Sequence, residues 1–131
     1  MLNDLIQKRS VETIELIPKG YRSDLSIKET IRCVVFQLLR EEGLVAVPAF
    51  RNPRFPEGPV DLAGVDPVDD AVKMAFCANP LVELSDVKSL ERVDAEYKCI
   101  ITFSRAGAKV KQSAFFLKPG IDHIDLYAGG L

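Results

Sequence analysis

Residues 60–79 read VDLAGVDPVDDAVKMAFCAN: an apolar run, a turn at Asp66-Pro67-Val68-Asp69-Asp70, and a second apolar run. Two short β-rich runs around a Pro/Asp-rich break predict a hairpin, with strands over Pro59–Val65 and Ala71–Ala78. Its turn is longer than the tight two-residue kind. Alternate residues of a strand share a face. Val72, Met74 and Phe76 are therefore expected to face the core, and Ala71, Lys73, Ala75 and Cys77 the other side. Asp61 opens the first run and Lys73 lies inside the second.

Upstream, Ser26 and Glu29 form an S-x-x-E capping box. Ile27, Ile31, Val34, Val35, Leu38 and Leu39 follow at helical spacing, and Gly43 is a natural stop. A helix over Ser26–Gly43 is expected, then a strand over Leu44–Phe50. Pro48 suggests an edge or a bulge there, because proline cannot donate to a ladder. Arg51–Pro59, with three prolines and a glycine, is a loop. Downstream, Ser85 is a plausible N-cap for a helix carrying Val87, Leu90 and Val93. Tyr97–Ser104 is a near-continuous apolar run, as in a strand covered on both faces. A helix over Ala108–Leu117, with Val110, Ala114 and Phe115, and a closing strand over Ile121–Tyr127 complete the pattern. Residues 1–25 read as an N-terminal extension in which VETIELI suits strand or helix, and residues 26–131 as a single domain.

The order α-β-β-β-α-β-α-β combines an antiparallel meander with strand–helix–strand crossovers. It predicts an α/β fold with a central mixed sheet and helices on both faces. A chain of 131 residues, 47% hydrophobic and 27% charged, has room for one proper core. A net charge of −2 argues against a broad basic surface for phosphates. No apolar stretch approaches the ~20 residues of a membrane span. The N-terminus lacks the layout of a signal segment. An intracellular, cytoplasmic protein is expected. Cys33, Cys77 and Cys99 have no paired spacing and read as three buried thiols.

Helix, three-strand meander, helix, strand resembles the common core of the restriction endonuclease-like, PD-(D/E)XK, superfamily, over about residues 26–104. Pro59-Val60-Asp61 stands where that family carries Pro-Asp, and Ala71-Val72-Lys73 where it carries Glu-x-Lys or Asp-x-Lys. Glu29 lies on the first helix, where many members carry a further acid. The resemblance implies Mg²⁺-dependent phosphodiester hydrolysis. Asp61 and Glu29 would bind the ion, which stabilises charge on the phosphate and lowers the pKa of the attacking water. Lys73 would orient or deprotonate that water, or neutralise the phosphate. Ala71 departs from the pattern by supplying no carboxylate. A second register, at Ala75-Phe76-Cys77, supplies neither acid nor lysine. Asp70 is one residue off and faces the opposite way. Asp66, Asp69 and Glu83 are loop acids that could stand in.

Arg51 and Arg54 interleave with Phe50 and Phe55 in the loop, a composition suited to phosphate pairing and base stacking, or to a loop pinned by its apolar side chains. Arg105, Lys109 and Lys111 form a second small basic cluster. His123, beside Asp122 and Asp125, is expected at the surface. No glycine-rich phosphate loop or nucleophile elbow is present. Two functions remain open: a nuclease-derived domain acting on nucleic acid, and a scaffold without catalysis that serves as a binding or assembly module. The last strand, as a sheet edge, is a natural homodimer contact.

Overall fold

The computed structural model describes residues 2–128 and 131. Helix α1 (Leu2–Glu15) and helix α2 (Asp24–Glu41) precede three strands, β1 (Val45–Phe50), β2 (Val60–Val65) and β3 (Val72–Asn79). Helix α3 (Leu84–Glu91), strand β4 (Tyr97–Thr102), helix α4 (Gly107–Ser113) and strand β5 (Ile121–Asp125) follow. The strands form one sheet in sequential order. β1, β2 and β3 pair antiparallel, while β3–β4 and β4–β5 pair parallel. The expected α/β mixed sheet is the observed one, and a helical layer covers each face.

α1 and α2 cover one face. Ile6 and Ile14 of α1 and Ile31, Val35 and Leu39 of α2 pack on Leu62, Phe76, Cys99 and Ile101. α3 covers the other face, with Val87 and Leu90 against Ala63, Ala75, Cys77 and Ile100. Residues 2–15, read from sequence as part of an extension, are thus built into the core. Their VETIELI segment is helical up to Glu15. α1 is also tied to the far edge of the sheet: Asn3 Nδ2 donates to Asp122, and the Tyr97 hydroxyl donates to Asn3 Oδ1.

α2 begins two residues before the expected start. Its cap is Ser23, whose Oγ accepts the Ser26 N–H at 3.1 Å. Ser26 and Glu29 therefore form no capping box, and Glu29 lies inside the helix. At the other end Gly43 sits at φ +79°, where a glycine costs little. Gly43 N–H bonds Arg40 C=O and Leu44 N–H bonds Leu39 C=O, the two bonds of a Schellman motif. That motif brings Leu44 onto Leu39, and both side chains press on Gly64 of β2. A Cβ at Gly64 would meet Leu39 Cδ2 at 2.8 Å and Leu44 Cδ1 at 3.0 Å. Close approach of helix to sheet therefore requires this glycine.

Pro48 lies on an edge strand, as expected. Val87, Leu90 and Val93 are buried, and the β4 run is buried on both faces. Other expectations are corrected. The hairpin alternation breaks at Lys73: Gly64 pairs with Met74 and Val65 with Val72, so Lys73 is an extra residue in a β-bulge. Val72 consequently packs with Ala75 and Cys77, opposite to Met74 and Phe76. Glu83, not Ser85, precedes α3, and without a side-chain cap bond. α4 ends at Ser113 and tightens into a 3₁₀ turn, leaving Phe115 exposed. Cys33 is exposed on α2, while Cys77 and Cys99 are buried. His123 is half-buried, with Nε2 2.8 Å from Thr102 Oγ1, and burial lowers its pKa. Among the described residues no helix is long and apolar enough to cross a membrane.

Candidate functional site

The carboxyl ends of β1, β3, β4 and β5 and the amino ends of β2 and α2 share one end of the sheet. Open α/β sheets commonly hold ligands at the carboxyl ends of their strands. Asp61, second residue of β2, lies there. β1 pairs through Pro48↔Leu62 and Phe50↔Val60, so Ala49 lies across from Asp61, at a φ of +51° that residues with a Cβ seldom adopt. On the other side β2 pairs through Leu62↔Phe76, so the next position sets Asp61 opposite Cys77.

A polar network closes this end. Asp61 Oδ2 accepts the Ala78 N–H at 2.8 Å and a proton from Lys28 Nζ at 3.3 Å. The same ammonium donates to Ala78 C=O at 2.7 Å and to Asn79 Oδ1 at 3.1 Å. An ammonium has three donors, and all three are used. Asn79 Nδ2 then donates to Asp86 Oδ2, in the first turn of α3, at 2.5 Å. The Lys28 and Asp61 side chains keep only 23% and 20% exposure, so this ion pair is partly withdrawn from water. Burial raises the Asp86 pKa, against the hydrogen bond from Asn79, with Asp61 and Glu83 adding to the rise. Burial first, then the neighbouring Asp86, pushes the Cys77 thiol far up, so it is a neutral, unreactive group here.

The residues picked out from sequence are not gathered into one cluster. Lys73 lies four positions along β3 from the residue opposite Asp61, roughly 13 Å at strand spacing. Its Nζ instead reaches Glu96, at 3.4 Å. Glu29 pairs with Arg32 at 3.0 Å and lines a cleft with Cys33, Phe36, Pro48 and Leu62, none of which belongs to the Asp61 network. Arg51 donates to Phe55 C=O within its own loop. Arg54 gives its backbone N–H to Asn52 Oδ1, an Asx-type turn. The loop is held by a residue that the sequence reading passed over. Arg92 stacks 4.6 Å over the Phe55 ring, donates to Glu57 at 3.1 Å, and accepts from Asn52 through its carbonyl.

Lys28, Asn79 and Asp86 likewise carry no site signal in the sequence. Lys28 flanks the apolar stripe of α2 beside Ile27. Asn79 opens the Asn79-Pro80 pair that ends β3, and Asp86 follows Ser85 at the start of α3. Each reads locally as a boundary residue, and only the strand register brings them to Asp61.

The donors around Asp61 do not fit a hard divalent ion. Mg²⁺ takes oxygen ligands from one or two carboxylates, with water and phosphate completing the shell. Here the inward oxygen of Asp61 already accepts two N–H groups, and one belongs to a cation. Asp86 is separated from it by the Asn79 amide, and Glu29 is engaged elsewhere. Among the described residues no group of three His, Cys, Asp or Glu could hold a metal. Chemically, the arrangement is a lysine clamp joining α2, β2, β3 and, through Asn79, α3.

The chain matches no family model, no curated protein and no solved structure in comparisons with each.

Proposed function

We propose that this chain is a restriction endonuclease-like domain that does not hydrolyse phosphodiesters and works as a binding or assembly module. Its support is the register around Asp61. In the pattern of the resembling family, an acid and a lysine sit on the third strand, one residue apart and beside the Asp of the second strand. The β3 residues at that height are Cys77 and Asn79. A neutral thiol and an amide supply neither a metal ligand of the required kind nor a cation for the water. The single observation that carries the reading is the Lys28 ammonium, bonded at once to Asp61, Ala78 C=O and Asn79. That ammonium already gives Asp61 Oδ2 a fixed positive partner.

The element order α-β-β-β-α-β, the mixed sheet and the location of Asp61 at the sheet's carboxyl end support the scaffold half of this reading. The test is a cleavage assay on labelled single- and double-stranded DNA and RNA, with Mg²⁺ or Mn²⁺, beside the Asp61→Ala variant. Products no greater than those of the variant are expected. Cleavage that disappears in Asp61→Ala would overturn the proposal and restore Asp61 to catalysis.

A further inference from the structure

The segment Arg105–Lys118, RAGAKVKQSAFFLK, is unlike the rest of the chain. It carries four basic side chains and no acid, in a protein of net charge −2, so the remaining residues together carry −6. Arg105, Lys109, Lys111 and Lys118 are all exposed. Between them stand two phenylalanines, Phe115 at 89% and Phe116 at 41% exposure. Phe115 adds nothing to the core that Val110 and Leu117 reach from the same segment.

The turn is held by anchors that point inward. Val110 is buried. Ser113 Oγ donates to Val110 C=O at 2.8 Å and accepts the Val82 N–H at 3.1 Å, tying the turn to the loop before α3. Leu117 packs on the core beneath α3. The two phenylalanines are thus held outward by the same bonds that define the turn, and Leu84, also exposed, opens α3 two residues beyond Val82.

We infer that this turn is a docking knob for a protein partner that presents an apolar pocket rimmed by Asp and Glu, with Phe115 entering the pocket and Lys109 and Lys111 meeting the rim. The inference stands on its own observations and does not need the proposed loss of catalysis. Apolar anchors ringed by charges are the usual anatomy of a protein interface, where the anchor supplies affinity and the rim steers encounter. The sign of the charge selects an acidic partner. The −6 carried by the remaining residues opposes a long polyanion more than a local acidic rim, which favours protein over single-stranded nucleic acid.

The test uses the full chain and three labelled probes in fluorescence anisotropy: a two-helix hairpin peptide whose Leu-lined groove is edged by Glu (the Glu–Leu peptide), the same peptide with Gln for Glu, and oligothymidine. The Glu–Leu peptide is expected to bind best. Its affinity should fall at least about tenfold in Phe115→Ser and again in Lys109→Glu/Lys111→Glu, with thermal melts unchanged because all three positions are exposed. Equal binding by the variants, or no binding of the Glu–Leu peptide, would overturn the inference. So would oligothymidine binding lost in the same variants, in favour of nucleic acid. Sedimentation showing a dimer that Phe115→Ser dissociates would overturn it in favour of a second copy of this chain.

Discussion

The two ends of the β2–β3 hairpin each carry a lysine and an acid, and they use them differently. At one end Lys28 and Asp61 are partly buried, share an acceptor network with Asn79 and Asp86, and join four elements. At the other end Lys73 sits in the bulge and pairs with Glu96, a side chain 77% exposed. The first pair has given up much of its water and has fixed partners. The second keeps its water, and such pairs contribute little. At the bulge end stability comes from packing instead, through Leu39 and Leu44 on Gly64. Charge of the same kind is structural at one end and incidental at the other, and burial with complete hydrogen bonding makes the difference.

The largest effect is expected for Lys28→Ala, which removes three donated hydrogen bonds and leaves Asp61 with the Ala78 N–H alone. A loss of about 2–3 kcal/mol is expected in chemical denaturation, the lower part of the range for a pair with residual exposure. A wild-type midpoint in this variant would mean that Lys28 is a surface lysine. Next is Gly64→Ala, where a Cβ at 2.8 Å from Leu39 Cδ2 forces helix and sheet apart, at about 1–3 kcal/mol. Leu39→Ala in the same background should recover part of that loss, and a purely additive double variant would show that the contact is not the cause.

Asp86→Asn sharpens the comparison through pH. The Asp86 pKa is raised on folding, chiefly by burial, so the folded chain binds this proton more tightly than the unfolded chain. Stability therefore falls as pH rises from the ordinary Asp range through the raised value, and is regained on acidification across that window. The variant has no such titration, so the difference between its denaturation free energy and that of wild type should vary with pH there and level off above. A constant difference across acid pH would contradict the buried setting of Asp86. The smallest effect is expected for Lys73→Ala. Its pKa is raised by Glu96, so whatever the pair contributes is present below the usual lysine range and lost only as pH rises through the folded value. At neutral pH the melting temperature should not move, and a clear drop would place Lys73 beside Lys28 in importance.

The same bulge explains how much of this was legible in the sequence. α2, the meander, α3 and β4 each carry a strong periodic or apolar signal, and their order is enough for a mixed sheet with helices on both faces. Asp61 could be singled out because it stands at the start of β2, just after a Pro/Gly loop, where the resembling family carries Pro-Asp. Its neighbours could not. A hairpin continued without the bulge from Val65↔Val72 would set Asp61 opposite Phe76, on the wrong face. The extra residue at Lys73 moves the register by one and brings Cys77 and Asn79 to that height. Nothing in VDPVDDAVKMA marks where a bulge falls, because it depends on how β3 packs against β2. The capping box was misread for a related reason: Ser23 and Ser26 are both good caps, and the start of the helix was fixed by Ser23. Lys28 lies one turn inside that start and becomes part of the site only when the helix meets the end of the hairpin.

If the Lys28 ammonium serves Asp61 in place of a metal, calorimetric titration of Mn²⁺ into the wild-type protein, with Asp61→Ala alongside, should give no saturable heat in either protein. Saturable binding in the wild type that is lost in Asp61→Ala would contradict that role and assign Asp61 a metal.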